Sequence, residues 1–186
     1  MGRVTGLSDK PSWFLNSIGV GFTGAVTCRS RSIRWLRGIP LYGLATLQAL
    51  WWDFSIAPWT VALDGAAAET WPTLMFSALL GRREGNFVLA PDARLADGWF
   101  DYVHAGALSR WNILRLLPSL AKNGPPRDFP QVRQGRCRAI EITSPVPLAA
   151  HIDGEIVARV EHGRLSARIE IVSQRLRAAV FEAGST

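Results

Sequence analysis

Along the back of the chain apolar residues alternate with polar ones. Ile140 and Ile142, then Leu148, Ala150 and Ile152, then Ile156, Ala158 and Val160, then Leu165, Ala167, Ile169 and Ile171 recur at period two, the mark of strands with one buried face. Ser144-Pro145, Asp153-Gly154 and His162-Gly163 separate these runs. The spacing predicts an antiparallel meander with one wet face.

The front of the chain mixes periods. Residues 13–18 read as a strand, and Gly19-Val20-Gly21-Phe22-Thr23-Gly24 follows it. Those glycines match the dinucleotide pattern G-x-G-x-x-G, but the first acid beyond them is Asp53, well past the position about 20 residues on where a ribose-binding acid belongs. A strand-to-helix turn with close backbone approach is the better reading. Over residues 39–52, Leu41, Leu44, Ala45, Leu47 and Leu50 recur at helical spacing behind Pro40, which predicts a buried helix. Trp51 and Trp52 are adjacent and cannot share a face; one is expected to cap a core and the other to cover a groove or partner.

Residues 54–63 then read as a strand that Pro58 places at an edge or bulge, with Asp64-Gly65 as a hairpin turn and a return strand from Glu69. An apolar run over 73–80, a loop over 81–86 and short strands over 87–90 and 100–104 follow. Ser109 fits the N-cap of a helix through Leu117 whose face is Ile113, Leu114, Leu116 and Leu117. Pro118 bends or restarts that helix, Asn123-Gly124 stops it, and residues 123–130 form a Pro-rich loop. The elements add up to a mainly β protein, an antiparallel β-sandwich with two or three accessory helices.

Composition narrows the picture. A chain of 186 residues with 48% apolar content buries one good core and makes one domain. Its 21 basic and 15 acidic residues give a net charge of +6, with arginines concentrated in residues 29–37 and 127–138. Such clusters are solvated faces or contacts to an anionic partner, a phosphate or a membrane surface. Nucleic acid is not the expected partner, for the chain has no RNA-binding aromatic signature, zinc-finger spacing or basic helical repeat. Cys28 and Cys137 stand far apart outside any Cys/His cluster, which gives neither a zinc site nor a disulfide framework and fits a reducing cytoplasm. No apolar leader opens the chain, and Gly6 stands where a myristoylation signal wants Ser or Thr. The uncharged run over 38–52 is too short to span a bilayer.

One stretch concentrates candidate chemistry. From Ala90 to Tyr102 the chain reads Ala-Pro-Asp-Ala-Arg-Leu-Ala-Asp-Gly-Trp-Phe-Asp-Tyr, so Asp92, Arg94 and Asp97 crowd a segment that proline and glycine keep from being a helix. Taken by itself it is either a pair of turns whose aspartates bond their own backbone or a polar site on a loop beside a strand. Ile152-Asp153-Gly154-Glu155 repeats the Asp-Gly turn further on.

The order of these pieces carries a resemblance. Residues 14–22 (Phe-Leu-Asn-Ser-Ile-Gly-Val-Gly-Phe), the helix, Leu63-Asp64-Gly65, Ala90-Pro91-Asp92-Ala93 with Ala96-Asp97-Gly98-Trp99-Phe100-Asp101, and Ile152-Asp153-Gly154-Glu155 together resemble the C-terminal domain of the diacylglycerol kinase and sphingosine kinase-like family of lipid kinases, over residues 13–180. The resemblance implies two-domain enzymes that phosphorylate a lipid hydroxyl with ATP. It puts ATP on an N-terminal domain with a Gly-Gly-Asp-Gly-Thr loop, a sequence this chain does not contain. On that basis residues 1–12 are expected to be a linker or tail, 13–173 the substrate-side sandwich, and 174–186 a segment returning to the nucleotide domain. The isolated chain is expected neither to bind nor to hydrolyse ATP.

By the same resemblance, a structural magnesium ion would take the Asp97 carboxylate and the backbone carbonyls of Arg94 and Trp99, a donor set adequate for this hard cation. Glu155 would accept or orient the lipid hydroxyl proton, with Asp153 as second choice. The partners implied are a lipid with a free hydroxyl, diacylglycerol-like or sphingoid, and the surface of a membrane met peripherally; a homodimer is left open. An apolar groove is expected to be lined by Trp51, Trp52, Trp59 and the helix bearing residues 113–117, with Arg34 and Arg37 near anionic headgroups. The chain departs from the family pattern at Thr23-Gly24, where the family commonly has Asp-Ala, and at Leu79-Leu80 and Glu84-Gly85-Asn86 before the Ala-Pro step. Those departures fit a different lipid or a lost activity, while the missing phosphate-cradling loop fits a lipid-binding module without chemistry or a fragment of a longer kinase.

Overall fold

The computed structural model of the chain describes residues 1–126 and 129–172. Its elements begin with β1 (Gly2–Thr5), β2 (Ser12–Phe14), β3 (Ser17–Gly21), α1 (Phe22–Ser30) and α2 (Gly38–Trp52). Then come β4 (Ala57–Leu63), β5 (Glu69–Thr73), β6 (Met75–Leu79), β7 (Arg83–Glu84), β8 (Phe87–Val88), β9 (Phe100–Ala105) and α3 (Arg110–Lys122). The chain continues through β10 (Val132–Cys137), β11 (Ala139–Thr143), β12 (Ala150–Ile152), β13 (Glu155–Ala158) and β14 (Ser166–Ile171).

All pairings are antiparallel, and they make two six-stranded sheets. One runs β2-β1-β14-β11-β4-β5, the other β10-β9-β6-β3-β12-β13, and β7 and β8 form a separate hairpin. Alternation explains the layers. In β4, Ala57, Trp59 and Val61 are buried and Pro58 and Thr60 exposed. Between the sheets lie Phe14, Ile18, Val20, Trp59, Val61, Phe76, Phe100, Ile140, Ile142 and Ile169, each worth about 1.5–3 kcal/mol once fully removed from water. The second sheet is covered on both faces. Its outward positions meet the helices, where Phe22, Val26, Ala45, Ala49, Leu50, Ala105, Ile113 and Leu116 form a second core. The expected mainly β sandwich with accessory helices is the observed architecture.

Several local expectations change. Residues 1–12 are not a tail, because β1 lies inside the first sheet between β2 and β14. Residues 13–18 are not one strand, since β2 and β3 belong to different sheets and Leu15-Asn16 carries the chain from one to the other. The back of the chain is not a single meander; β11 and β14 pair in the first sheet while β12 and β13 pair in the second, and Val160 falls in a 3-10 turn. Period two identifies strands but not their neighbours. Pro58 sits in an inner strand, opposite Pro72 of β5, where β4 overhangs the end of β11; on that side no ladder bond is missed. The loop over 81–86 contains β7, and β10 arises from a segment with no apolar alternation. Pro118 stands inside α3, whose N-cap is Ser109, accepting from Asn112 N at 3.2 Å, and whose end is capped at Asn123.

The helix over 38–52 forms as expected but is not buried. Ala45, Thr46, Ala49 and Leu50 face the core, while Trp51 and Trp52 are 76% and 64% exposed, so neither caps a core. The glycines behind β3 serve the turn into α1: Gly21 has φ 83°, and a Cβ on Gly24 would lie 2.3 Å from the Ala149 carbonyl oxygen. Residues 174–186, expected to return to another domain, lie outside the described residues.

Candidate functional site

The covered face of the second sheet does not close completely against the helices. It leaves a cavity of about 410 Å³, within the usual range of small-molecule sites. Apolar walls come from Phe22 and Val26 of α1, Leu74 just ahead of β6, Val103 and Ala105 of β9, and Ile113, Leu116, Leu117 and Leu120 of α3. One end is polar, where Asn16, Ser17, Thr23, Arg83, Glu84, His151, Asp153 and Gly154 line it. Of the residues expected to line a groove, Ile113, Leu116 and Leu117 line this cavity and the tryptophans do not. Trp59 is buried between the two sheets, and α2 contributes Tyr42 and Thr46 to the cavity rather than Trp51 or Trp52.

At the polar end the Asp153-Gly154 turn is tied to the crossing between sheets. Asp153 Oδ2 accepts from the Leu15 amide at 2.7 Å, and Oδ1 accepts from the amides of Asn16 and Ser17 at 2.9 Å each. Its backbone has φ 47°, which aspartate tolerates better than most residues. Both carboxylate oxygens are therefore engaged in holding the loop. Glu155 is different. It opens β13, its side chain is 77% exposed, and its Oε1 accepts from Arg31 at 2.7 Å. Asp153 and Gly154 line the cavity while Glu155 stands beside it, so the two acids of the turn are split between scaffold and surface.

Two further residues went unnoticed in the sequence. Glu84 of β7 and His151 of β12 are buried and bonded, Nε2 to Oε1, at 2.9 Å, next to Thr23 of the first turn of α1. His151 had a legible signal, for it alternates with apolar Ala150 and Ile152 and so must leave the sandwich face. Glu84 had none, being one charge among Arg82, Arg83 and Glu84 in a segment read as loop.

The stretch around Asp97 sits apart. Asp97 Oδ1 accepts from the Trp99 amide at 3.1 Å, and its other oxygen is bonded by the Arg136 guanidinium, whose own plane lies 5.5 Å over the Trp99 ring. Asp101, 3.8 Å from Arg136, has its carboxyl raised above the ordinary range, chiefly by burial, with Arg136 opposing and Asp97 and Asp92 adding to the rise. Asp97, the carboxylate expected to hold magnesium, is thus bonded by the Trp99 amide and the Arg136 guanidinium; among the described residues no group of three or more His, Cys, Asp or Glu side chains gathers, a pattern the expected set of one carboxylate and two backbone carbonyls does not require. The arginines of 127–138 that are described are similarly occupied. Arg133 lies over Trp71 and Arg138 over Trp99, 4.6 and 4.3 Å from the ring centres.

Known proteins resemble this chain in sequence and in fold. Diacylglycerol kinases from two strains of Mycobacterium tuberculosis are each 27% identical over 157 residues, covering 83% of this chain and 50% of theirs. The chain thus spans half the length of the curated relatives it matches. A crystal structure of a diacylglycerol kinase from Bacillus anthracis superposes over 91% of this chain and 48% of its own, with a TM-score of 0.54 at 13% identity. Two further structures from that organism give TM-scores of 0.59 and 0.56 at 15% and 16% identity, again over about half of their length. Resemblance at that level concerns the fold. The family model described as the YegS C-terminal NAD kinase beta sandwich-like domain matches residues 16–180, and it is to this family that the chain belongs.

Proposed function

We propose that this chain is the acceptor side of a lipid kinase, the part that holds a lipid hydroxyl while ATP bound on another domain surrenders its terminal phosphoryl group. The observation that carries the reading is the cavity, an apolar space between sheet and helices that ends at the Asp153-Gly154 turn. At roughly 30 Å³ for each water-sized group, about 410 Å³ accommodates one acyl chain. In the transfer, the hydroxyl oxygen attacks phosphorus, the bond to the departing ADP oxygen breaks, and the hydroxyl proton must leave. Glu155 is the proposed acceptor of that proton, released from Arg31 as substrate arrives. Asp153, with both oxygens on backbone amides, positions the turn.

The exposed side of α2 supports contact with a membrane surface. The helix carries no charged residue; Leu47 and Trp51 are exposed along one side, Arg34 and Arg37 are exposed just ahead of it, and its inner side reaches the cavity through Tyr42 and Thr46. On this reading the exposed apolar side of α2 meets the membrane surface, with the arginines ahead of it near anionic headgroups. Among the described residues no helix is long and apolar enough to cross a membrane.

The test has two arms. Co-sedimentation with phosphatidylserine vesicles containing dioleoylglycerol should show binding at low salt that weakens as salt rises; no binding at low salt rejects the surface role. In a fusion that supplies a nucleotide-binding half, Glu155→Gln should abolish lipid phosphorylation and leave vesicle binding unchanged. Full turnover by that variant removes Glu155 from the chemistry. No turnover by the unsubstituted fusion, with vesicle binding intact, favours a lipid-binding module.

A further inference from the structure

Unmet polar atoms gather at one point of the cavity wall. Gly19 stands in the middle of β3, between His151 of β12 and Ser77 of β6 in register. Ile18 and Val20 pack between the sheets, so period two sends Gly19, Ser77 and His151 to the cavity side. Because Gly19 has no side chain, neighbours fill the gap. A Cβ built there would lie 2.4 Å from Thr23 Oγ1, 2.5 Å from His151 Nε2 and 2.7 Å from Glu84 Oε1. Of the seven buried side-chain polar atoms without a hydrogen-bond partner among the described residues, three belong to residues of this cluster that line the cavity: Thr23 Oγ1, Glu84 Oε2 and His151 Nδ1. Native proteins leave few such groups unmet, and leaving them so is costly.

The unmet atoms have a definite chemistry. Glu84 Oε1 is bonded to His151 Nε2 at 2.9 Å, which leaves Glu84 Oε2 unmet beside the cavity. The Thr23 hydroxyl, also unmet, both donates and accepts. The pair therefore suits a group that itself donates and accepts. We propose that Thr23 and Glu84, with His151 holding Glu84 in place, form a recognition site for a free hydroxyl on the lipid head, a group that donates to Glu84 and accepts from Thr23. His151 stands two residues before Asp153 along the strand, so the site lies inward of the turn. The hydroxyl read here is thus nearer the acyl chain than the one that receives the phosphoryl group. A monoacylglycerol has both hydroxyls and one chain to fit the cavity. A diacylglycerol has its inner oxygen esterified and brings a second chain.

This inference rests on the reading of the cavity as a lipid-chain site, and the experiment separates the two. Binding of monomyristoylglycerol, dimyristoylglycerol and methyl myristate to the chain is measured by displacement of a fluorescent fatty acid, for the unsubstituted protein and for Thr23→Val and Glu84→Gln. Expected is a preference of roughly tenfold for monomyristoylglycerol over the other two, as one or two hydrogen bonds provide. Each variant should lose most of that preference while holding methyl myristate as before, which also shows that it is folded. Equal binding of all three lipids by the unsubstituted protein overturns the recognition site and leaves the chain-binding cavity standing. A preference that survives both substitutions overturns it too, by assigning selection to other groups. If no lipid displaces the probe, the cavity reading and this one fall together.

Discussion

Replacing Asp153 tests whether the acid of the turn is scaffold or chemistry. Its carboxylate accepts three backbone amides at 2.7, 2.9 and 2.9 Å, at the point where the chain passes from β2 in one sheet to β3 in the other. Hydrogen bonds to a charged group are worth about 1.5–3 kcal/mol when sheltered; Asp153 is exposed, so about 1 kcal/mol each is the fitting figure. Asp153→Ala removes all three and places alanine at φ 47°, a left-handed conformation that costs a further 1 kcal/mol or so. The expected loss is about 4 kcal/mol in urea unfolding followed by tryptophan fluorescence. Asp153→Asn keeps the conformation and one acceptor oxygen but turns an amide NH₂ towards another N–H, and should cost about 2 kcal/mol. Hydrogen exchange at the amides of Leu15, Asn16 and Ser17 should speed up in both. Unfolding of Asp153→Ala within about 0.5 kcal/mol of the unsubstituted chain, the ordinary range for surface changes, would refute the clamp.

Other outcomes follow from the same structure. His104 is buried against Thr73 and Trp71, bonded to Thr73 Oγ1 at 2.9 Å, and burial, helped by Arg133, lowers its pKa from 6.5 to about 4. The native state thus favours neutral imidazole: stability is complete above about pH 6.5 and falls as pH drops towards 4, by about 3 kcal/mol in all. His104→Gln should flatten that dependence, and parallel pH profiles for the two proteins would count against it. Magnesium should leave the melting temperature where a matched concentration of sodium chloride leaves it, because Arg136 already holds Asp97; a rise specific to magnesium would show the cation displacing the arginine and restore the ligand set of Asp97, Arg94 and Trp99. Ala105 is buried and lines the cavity, so Ala105→Leu should fill part of the void, lower lipid-chain affinity about tenfold and leave stability within about 1 kcal/mol of its original value. Undiminished lipid binding would place the chain elsewhere.

Much of this protein was legible in the order of its residues. Strands betray themselves by alternation, so the segments at 140–142, 150–152 and 166–171 could be named, as could the helix over 38–52, the cap at Ser109 and the hairpin turn at Asp64-Gly65, whose two residues have φ 53° and 75°. Motif order pointed to the family. These features are local, and each depends on residues within a few positions of one another. What the tertiary structure decided is everything that depends on partners distant in sequence. Which strand lies beside which determined that β11 and β12 part company into different sheets, and that β1 is a strand at all. The face that α2 hides is set by what packs on it, so an uncharged apolar helix could look buried and yet expose Trp51 and Trp52. The polar cluster at Gly19 is the extreme case. It joins Thr23, Glu84 and His151 across most of the chain, and no window short enough to show a period is long enough to bring those three together.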